Sequence, residues 1–310
     1  MSTRERHRPR RLRAGDSVAV VAPAGPVPAD QLDAGLQLLR DWDLRVVPGK
    51  HVRERHPRLR YLAGADADRA ADLQRAWCDP EIDGVLCARG GYGCMRVLDH
   101  LDWTAMAAAE HKVFAGSSDV TALHDAFGVR LGVATVFGPM IGTGAFIDDA
   151  PAREHLRRTL FTPESVTILT RGGAEALVPG RARGITYGGN LSLLAAGLGA
   201  PDAAPPPVRG IALLEDVDED PYRLDRALTQ LLRAGWFDRA SGIALGSWSG
   251  CGPVDEVRAV LRDLLGDLGI PVLWELGFGH CAAQRTVPLG VAAELDTAAQ
   301  RLSVLQPALR

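Results

Sequence analysis

The chain has 310 residues, 46% of them apolar, enough to bury a sizeable core and more than is usual for one domain. Its 35 basic and 38 acidic residues leave a net charge of −3, and the arginines are spread along the chain, so the composition excludes a polybasic surface for nucleic acid. Five cysteines (Cys78, Cys87, Cys94, Cys251, Cys281) lack framework spacing and complete no zinc pattern with histidine, which suits free thiols in a reducing compartment.

Residues 1–10 are basic and read as a disordered tail. The first apolar run, Val18 to Ala22, is cut short by Pro23, so neither a signal peptide nor a membrane span is expected and the predicted location is cytoplasmic. Ser17 to Ala22 reads as a buried strand. Gln31 to Trp42 reads as a helix, with Leu32, Leu36 and Leu39 on one stripe. Leu44–Val47 is a second strand, Asp66–Cys78 a helix and Asp83–Ala88 a third strand, which runs into Arg89-Gly90-Gly91-Tyr92-Gly93 and a helix carrying Val97, Leu98 and Leu101. The strand Lys112–Gly116 enters the turn Ser117-Ser118-Asp119, a helix-like stretch follows, and the strand Val133–Phe137 closes at Gly138-Pro139. Short apolar strands alternating with helices predict a parallel, doubly wound α/β domain over 11–150. Ligands bind such sheets beyond the carboxyl ends of their strands, where Gly90-Gly91 and Ser117-Ser118-Asp119 both fall.

Asp148-Asp149-Ala150-Pro151 opens a predicted connection, 151–180, to a second domain over 181–310. There Gly188-Gly189-Asn190-Leu191 opens a short helix, and Pro201–Pro207 is a proline-rich loop. The strand Ile211–Leu214 delivers Glu215. Helices Tyr222–Arg233 and Val254–Leu265 alternate with the strand Ile243–Leu245. Val272–Leu276, Thr286–Leu289, Ala292–Leu295 and Leu302–Leu305 read as further strands, so a mixed domain with antiparallel or barrel-like pairing is expected.

Three residues could form a catalytic unit. Ser118 stands at a strand-to-helix turn, the layout of a nucleophile elbow, although serine before a helix is more often only an N-cap. A serine hydroxyl needs a base, and His280, in Leu276-Gly277-Phe278-Gly279-His280, has little bulk around it. His124 is nearer in sequence, but one and a half helical turns point it elsewhere. Glu215, at the tip of a buried strand, is placed to orient a histidine, with Glu219 the weaker choice. The acidic run Glu215 to Asp220 has no His or Cys nearby at ligand spacing, so no metal is expected. Gly90-Gly91-Tyr92-Gly93 lacks the Gly-Lys-Ser/Thr ending of a phosphate loop, so a nucleotide reading is weak; its glycines can instead present an N–H to an oxyanion, with the N–H of Asp119 as a second donor.

Taken in order, these segments resemble the LD-carboxypeptidases, serine peptidase family S66, which includes muramoyltetrapeptide carboxypeptidases and microcin C self-immunity proteins. The resemblance runs from Leu12-Arg13-Ala14-Gly15-Asp16 to about Asp296. It rests on Val21-Ala22-Pro23, Arg89-Gly90-Gly91-Tyr92-Gly93, Gly116-Ser117-Ser118-Asp119-Val120-Thr121, Gly138-Pro139-Met140 and Gly188-Gly189-Asn190-Leu191. It continues through Leu214-Glu215-Asp216, Pro221-Tyr222-Arg223-Leu224-Asp225-Arg226, Gly277-Phe278-Gly279-His280 and Pro288-Leu289-Gly290. The resemblance implies a triad of Ser118, His280 and Glu215, with oxyanion donors at Gly91 and Asp119. It also implies a glutamine-amidotransferase-like N-terminal domain, a swivelling β/β/α or barrel-like C-terminal domain, a site between them and a homodimer. Ser117 departs from the family, which commonly has an aromatic residue there.

The implied activity is hydrolysis of the L,D peptide bond to the terminal D-alanine of a cytoplasmic muropeptide, without cofactor or metal. The alternative is an immunity-type hydrolase that cleaves peptidyl- or aminoacyl-nucleotides. The absence of Trp between Gly138 and Glu215 speaks against it, while Trp248 keeps it in play. A third reading, a binding protein without catalysis, is opposed by the presence of all three triad residues. The sequence leaves open the third-position diamino acid and the group that binds the leaving carboxylate, for which Arg89 and Arg285 are the candidates.

Overall fold

The computed structural model describes residues 6–203 and 206–310. Five strands near the N-terminus, β1 (Ser17–Val21), β2 (Arg45–Pro48), β3 (Gly84–Cys87), β4 (Val113–Gly116) and β5 (Thr135–Phe137), form a parallel sheet in the order β5-β4-β3-β1-β2. Every residue of β1, β3, β4 and β5 is buried. Helices cover both faces of such a sheet, which is why these strands read as unbroken apolar runs rather than alternating ones.

The second sheet takes β6 (Ile168–Leu169), β7 (Glu175–Val178), β8 (Arg181–Asn190), β9 (Gly210–Glu215), β10 (Ala240–Leu245) and β11 (Val272–Trp274). Of the last three strands, β12 (Val287–Leu289), β13 (Ala292–Asp296) and β14 (Arg301–Val304), the final two also join it, in the order β6-β14-β13-β8-β9-β10-β11-β7. Its outer pairings are antiparallel, as expected. Its centre, β8 to β11, is parallel. The reason is the strand–helix alternation from Ile211 onward: helices Pro221–Arg233 and Val254–Leu265 are the crossovers that return the chain for parallel pairing.

β12 leaves the second half and pairs antiparallel with β5, extending the first sheet. The segment 151–180, expected as a connection, contains most of the helix Ala150–Phe161 and also β6 and β7. That helix starts where the carboxylate of Asp149 accepts the N–H of Ala152, with Pro151 in the first turn, where its missing N–H costs nothing.

Residues 6–10 correct the expectation of a disordered tail. His7 N–H donates to Gly132 O at 2.8 Å, Ala134 N–H to His7 O at 2.8 Å, and Arg310 N–H to Pro9 O at 2.9 Å. Arg10 pairs with Asp16 and Asp83. Residues 1–5 of that tail, and 204–205 of the proline-rich loop, lie outside the described residues.

Alternate residues of each strand face different cores. Val18 and Val20 of β1 share one continuous cluster with Ile211 and Leu213 of β9, whereas Ala19 and Val21 belong to a second cluster and Ala212 and Leu214 to a third. The first cluster therefore spans both sheets. Burying each such Val or Leu stabilises the fold by about 1.5–3 kcal/mol. Among the described residues no helix is long and apolar enough to cross a membrane.

Candidate active site

β4 ends at Gly116, and a short 3-10 turn, Ser118–Val120, leads into the helix Thr121–Ala126. Ser118 has φ of 59°, in the left-handed region. A non-glycine residue there stores about 1–3 kcal/mol of strain, and such residues cluster at functional sites. The turn lifts the hydroxyl into a cleft of about 440 Å³, lined among others by Arg89, Gly91, Ser117, His280 and Gln284. Gly90 makes this possible: a Cβ there would stand 3.0 Å from Ser118 Cβ and 3.1 Å from its Oγ.

The second half supplies the other groups. β9 carries Glu215, whose side chain is fully buried, and Glu215 Oε2 accepts from His280 Nδ1 at 2.7 Å. Their close approach depends on Gly279, at φ 89°, because a Cβ there would lie 2.4 Å from Glu215 Oε2. With the Nδ1 proton directed to the carboxylate, the tautomer assigned to His280 leaves the Nε2 lone pair free. Ser118 and His280 line the same cleft, and no hydrogen bond joins them. Burial pulls the pKa of His280 down, but the hydrogen bond and charge of Glu215, helped by Asp216 and Asp218, outweigh it and set it above the ordinary value.

The LD-carboxypeptidase N-terminal domain matches residues 18–138, and the LD-carboxypeptidase C-terminal domain matches residues 183–295. The chain belongs to the LD-carboxypeptidase family. A Streptomyces coelicolor protein assigned as a carboxypeptidase is 58% identical over 306 residues, 99% of this chain and 98% of its own. The murein tetrapeptide carboxypeptidase of Pseudomonas aeruginosa is 35% identical, over 90% of this chain and 92% of its own. Among solved structures, the muramoyltetrapeptide carboxypeptidase of Oxalobacter formigenes superposes with a TM-score of 0.78 at 29% identity, covering 92% of this chain and 97% of that one. MccF in complex with glutamyl sulfamoyl guanosine superposes with a TM-score of 0.84 at 22% identity, covering 98% and 99%, and shares the fold. This LD-carboxypeptidase family member is thus a carboxypeptidase enzyme.

Around the site of this LD-carboxypeptidase runs a layer of buried polar groups that the sequence reading did not single out. Asn190, the N-cap of the helix Leu191–Ala196, donates through Nδ2 to Glu215 Oε1 at 3.2 Å and to Asp216 Oδ1 at 2.9 Å. Asp216 also accepts the N–H of Ser192 at 2.9 Å, and burial followed by the neighbouring Glu215 raises its pKa. The N-cap place of Asn190 before Leu191 was legible in the sequence; its pairing with Glu215 on a strand 25 residues away was not.

The Gly-rich loop is held from two sides. Asp119, 1% exposed, accepts the N–H of Cys94 at 2.7 Å, and Arg69, equally buried in practice, donates to Pro23 O and to Gly93 O. Arg69 and Arg96 both pair with Asp66. The backbone N–H of Gly91 donates to no protein group among the described residues. His124, the rival histidine, is buried away from the cleft between Thr135 Oγ1 (2.9 Å) and Gly116 O (3.0 Å), and burial drives its pKa down to about 4. All five cysteines are unpaired. Among the described residues, the one group of three side chains with metal-ligand spacing is His51, Glu54 and Asp68, outside the acidic run Glu215 to Asp220.

Proposed function

We propose that this carboxypeptidase hydrolyses the L,D peptide bond to the terminal D-alanine of muropeptide tetrapeptides, with Ser118 as nucleophile, His280 as base and then acid, and Glu215 as orienting carboxylate. The observation that carries the reading is the 2.7 Å contact between buried Glu215 and His280 beside a cleft that also takes in the strained Ser118. Ser118 Oγ attacks the scissile carbonyl while His280 Nε2 takes its proton, and Glu215 stabilises the imidazolium. The N–H groups of Gly91 and Asp119 receive the oxyanion. His280 then protonates the leaving amine, and water, activated in the same way, releases the acyl group from Ser118.

The substrate class is supported by the murein tetrapeptide carboxypeptidase of Pseudomonas aeruginosa, which matches over nine-tenths of both chains. A cytoplasmic location, a role in cell-wall recycling and a homodimer belong to the same proposal. Trp248, the residue that kept a nucleotide reading in play, is only 6% exposed, which disfavours it as a platform for a base.

The test is a mass-spectrometric time course with UDP-MurNAc-tetrapeptide and, separately, an aminoacyl-sulfamoyl-adenosine. D-alanine is expected from the first and no cleavage of the second. Cleavage of only the nucleotide conjugate would transfer the protein to the immunity-type class.

A further inference from the structure

A carboxypeptidase cuts the last peptide bond, so the residue that departs carries a free carboxylate. A group in the cleft that recognises this charge would favour terminal over internal bonds. Arg89 lines the catalytic cleft together with Gly91, Ser118 and His280. Its Nη1 donates to Pro26 O at 2.7 Å, which fixes the side chain and leaves the other guanidinium N–H groups available. No carboxylate pairs with Arg89 among the described residues.

The other nearby arginines differ. Arg171 lines an adjoining cavity that shares Cys281 with the cleft, and Glu275 neutralises it at 3.4 Å. Arg285 is not among the residues lining the cleft; its N–H donates to Gly277 O at 2.7 Å, and its charge lies near buried His155. The cleft holds a second unmet group. Gln284, 5% exposed, lines it, and Gln284 Oε1 has no hydrogen-bond partner among the described residues. A buried polar atom left unpaired is costly, and an N–H of a bound peptide would satisfy it once the Gln284 side chain turns its oxygen into the cleft.

We propose that Arg89 binds the terminal carboxylate of the departing residue and thereby restricts this enzyme to carboxyl-terminal bonds. The proposal rests on the reading that this cleft is the hydrolytic site. A guanidinium offers a planar fork that matches a carboxylate, whereas a lysine at the same place offers only a point charge.

Two measurements test it. The first compares kcat/KM for a peptide ending in D-alanine with that for the same peptide ending in D-alanine amide. The wild type is expected to favour the acid by about 10- to 100-fold, the scale of a hydrogen bond to a charged group, at an arginine that is itself exposed. Arg89→Met should bring the acid-to-amide ratio close to one, and Arg89→Lys should recover part of it. A ratio in Arg89→Met that stays at the wild-type value overturns the proposal. The second measurement is calorimetric binding of the same two peptides to Ser118→Ala protein, with and without Arg89→Met. A preference for the acid that disappears with Arg89→Met supports the carboxylate site even if the wild type hydrolyses neither peptide, an outcome that would instead overturn the hydrolytic reading. Equal binding of both peptides, indifferent to Arg89, overturns the carboxylate site.

Discussion

At His280 two forces oppose. Burial favours the neutral ring, while the carboxylate of Glu215, 2.7 Å from Nδ1, favours the charged one and prevails. In the proposed mechanism His280 must be neutral to accept the proton of Ser118, so kcat/KM should fall on the acid side with an apparent pKa above 6.5. The sign for stability is the reverse: a raised pKa means that the protonated ring stabilises the fold. That contribution is complete below the unfolded value and is lost as pH rises through the folded one. Glu215→Gln removes the charge that raises His280. It should therefore move the acid limb to lower pH and reduce kcat by about 10⁴-fold, the scale seen when a triad carboxylate becomes an amide. An acid limb unmoved by this change would mean that Glu215 does not set the state of His280. Ser118, Glu215 and His280 stood out in the sequence as candidates because each stands at the end of an apolar strand or in a glycine-rich turn. The contacts of Asn190 and Asp216 were not legible there, because they depend on which strands become neighbours, and Gln284 carried no local sign of lining the cleft.

The elements follow from the same local rules, and their failures are local too. Helices Asp66–Cys78 and Val254–Leu265 lie where the apolar stripe predicts. The helix Ala150–Phe161 escaped because its buried face is Ala152, His155, Leu156, Thr159 and Leu160, a stripe interrupted by polar residues. Thr159 donates back to His155 O at 2.8 Å, and His155 Nδ1 accepts the N–H of Thr286 at 3.1 Å, so the polar groups are paired inside the fold. The turn Gly277–Gly279 is where an element bears most directly on the chemistry. Gly279→Ala would drive a methyl against Glu215 Oε2 in a backbone conformation that suits glycine. It is expected to lower kcat by about 10²-fold, the cost of roughly an ångström of misplacement, as well as Tm. Gly132→Ala, at φ 64° with nothing within 4 Å of the added carbon, should lower Tm alone. Steady-state kinetics and thermal melts on both variants decide this; equal kcat values would contradict the role given to the turn.

Across the whole molecule the site lies where the two halves meet. Ser118 and Gly91 come with the first sheet, Glu215 and His280 with the second half. One hydrophobic cluster joins Val20 to Leu213, and β12 crosses back to pair with β5. The two-part α/β architecture was legible from the change of texture near residue 150. The return of β12 was not, since Val287, Pro288 and Leu289 carry no local sign of which sheet they will extend. Ser117, 5% exposed, lines the cleft next to Ser118 and is the one rival hydroxyl on this turn. The most direct test of the account is therefore the rate of D-alanine release from a muropeptide tetrapeptide by the wild type, Ser117→Ala and Ser118→Ala. The account predicts a loss of about 10⁴- to 10⁶-fold for Ser118→Ala and near wild-type turnover for Ser117→Ala. Full activity in Ser118→Ala, or its loss in Ser117→Ala alone, would contradict it.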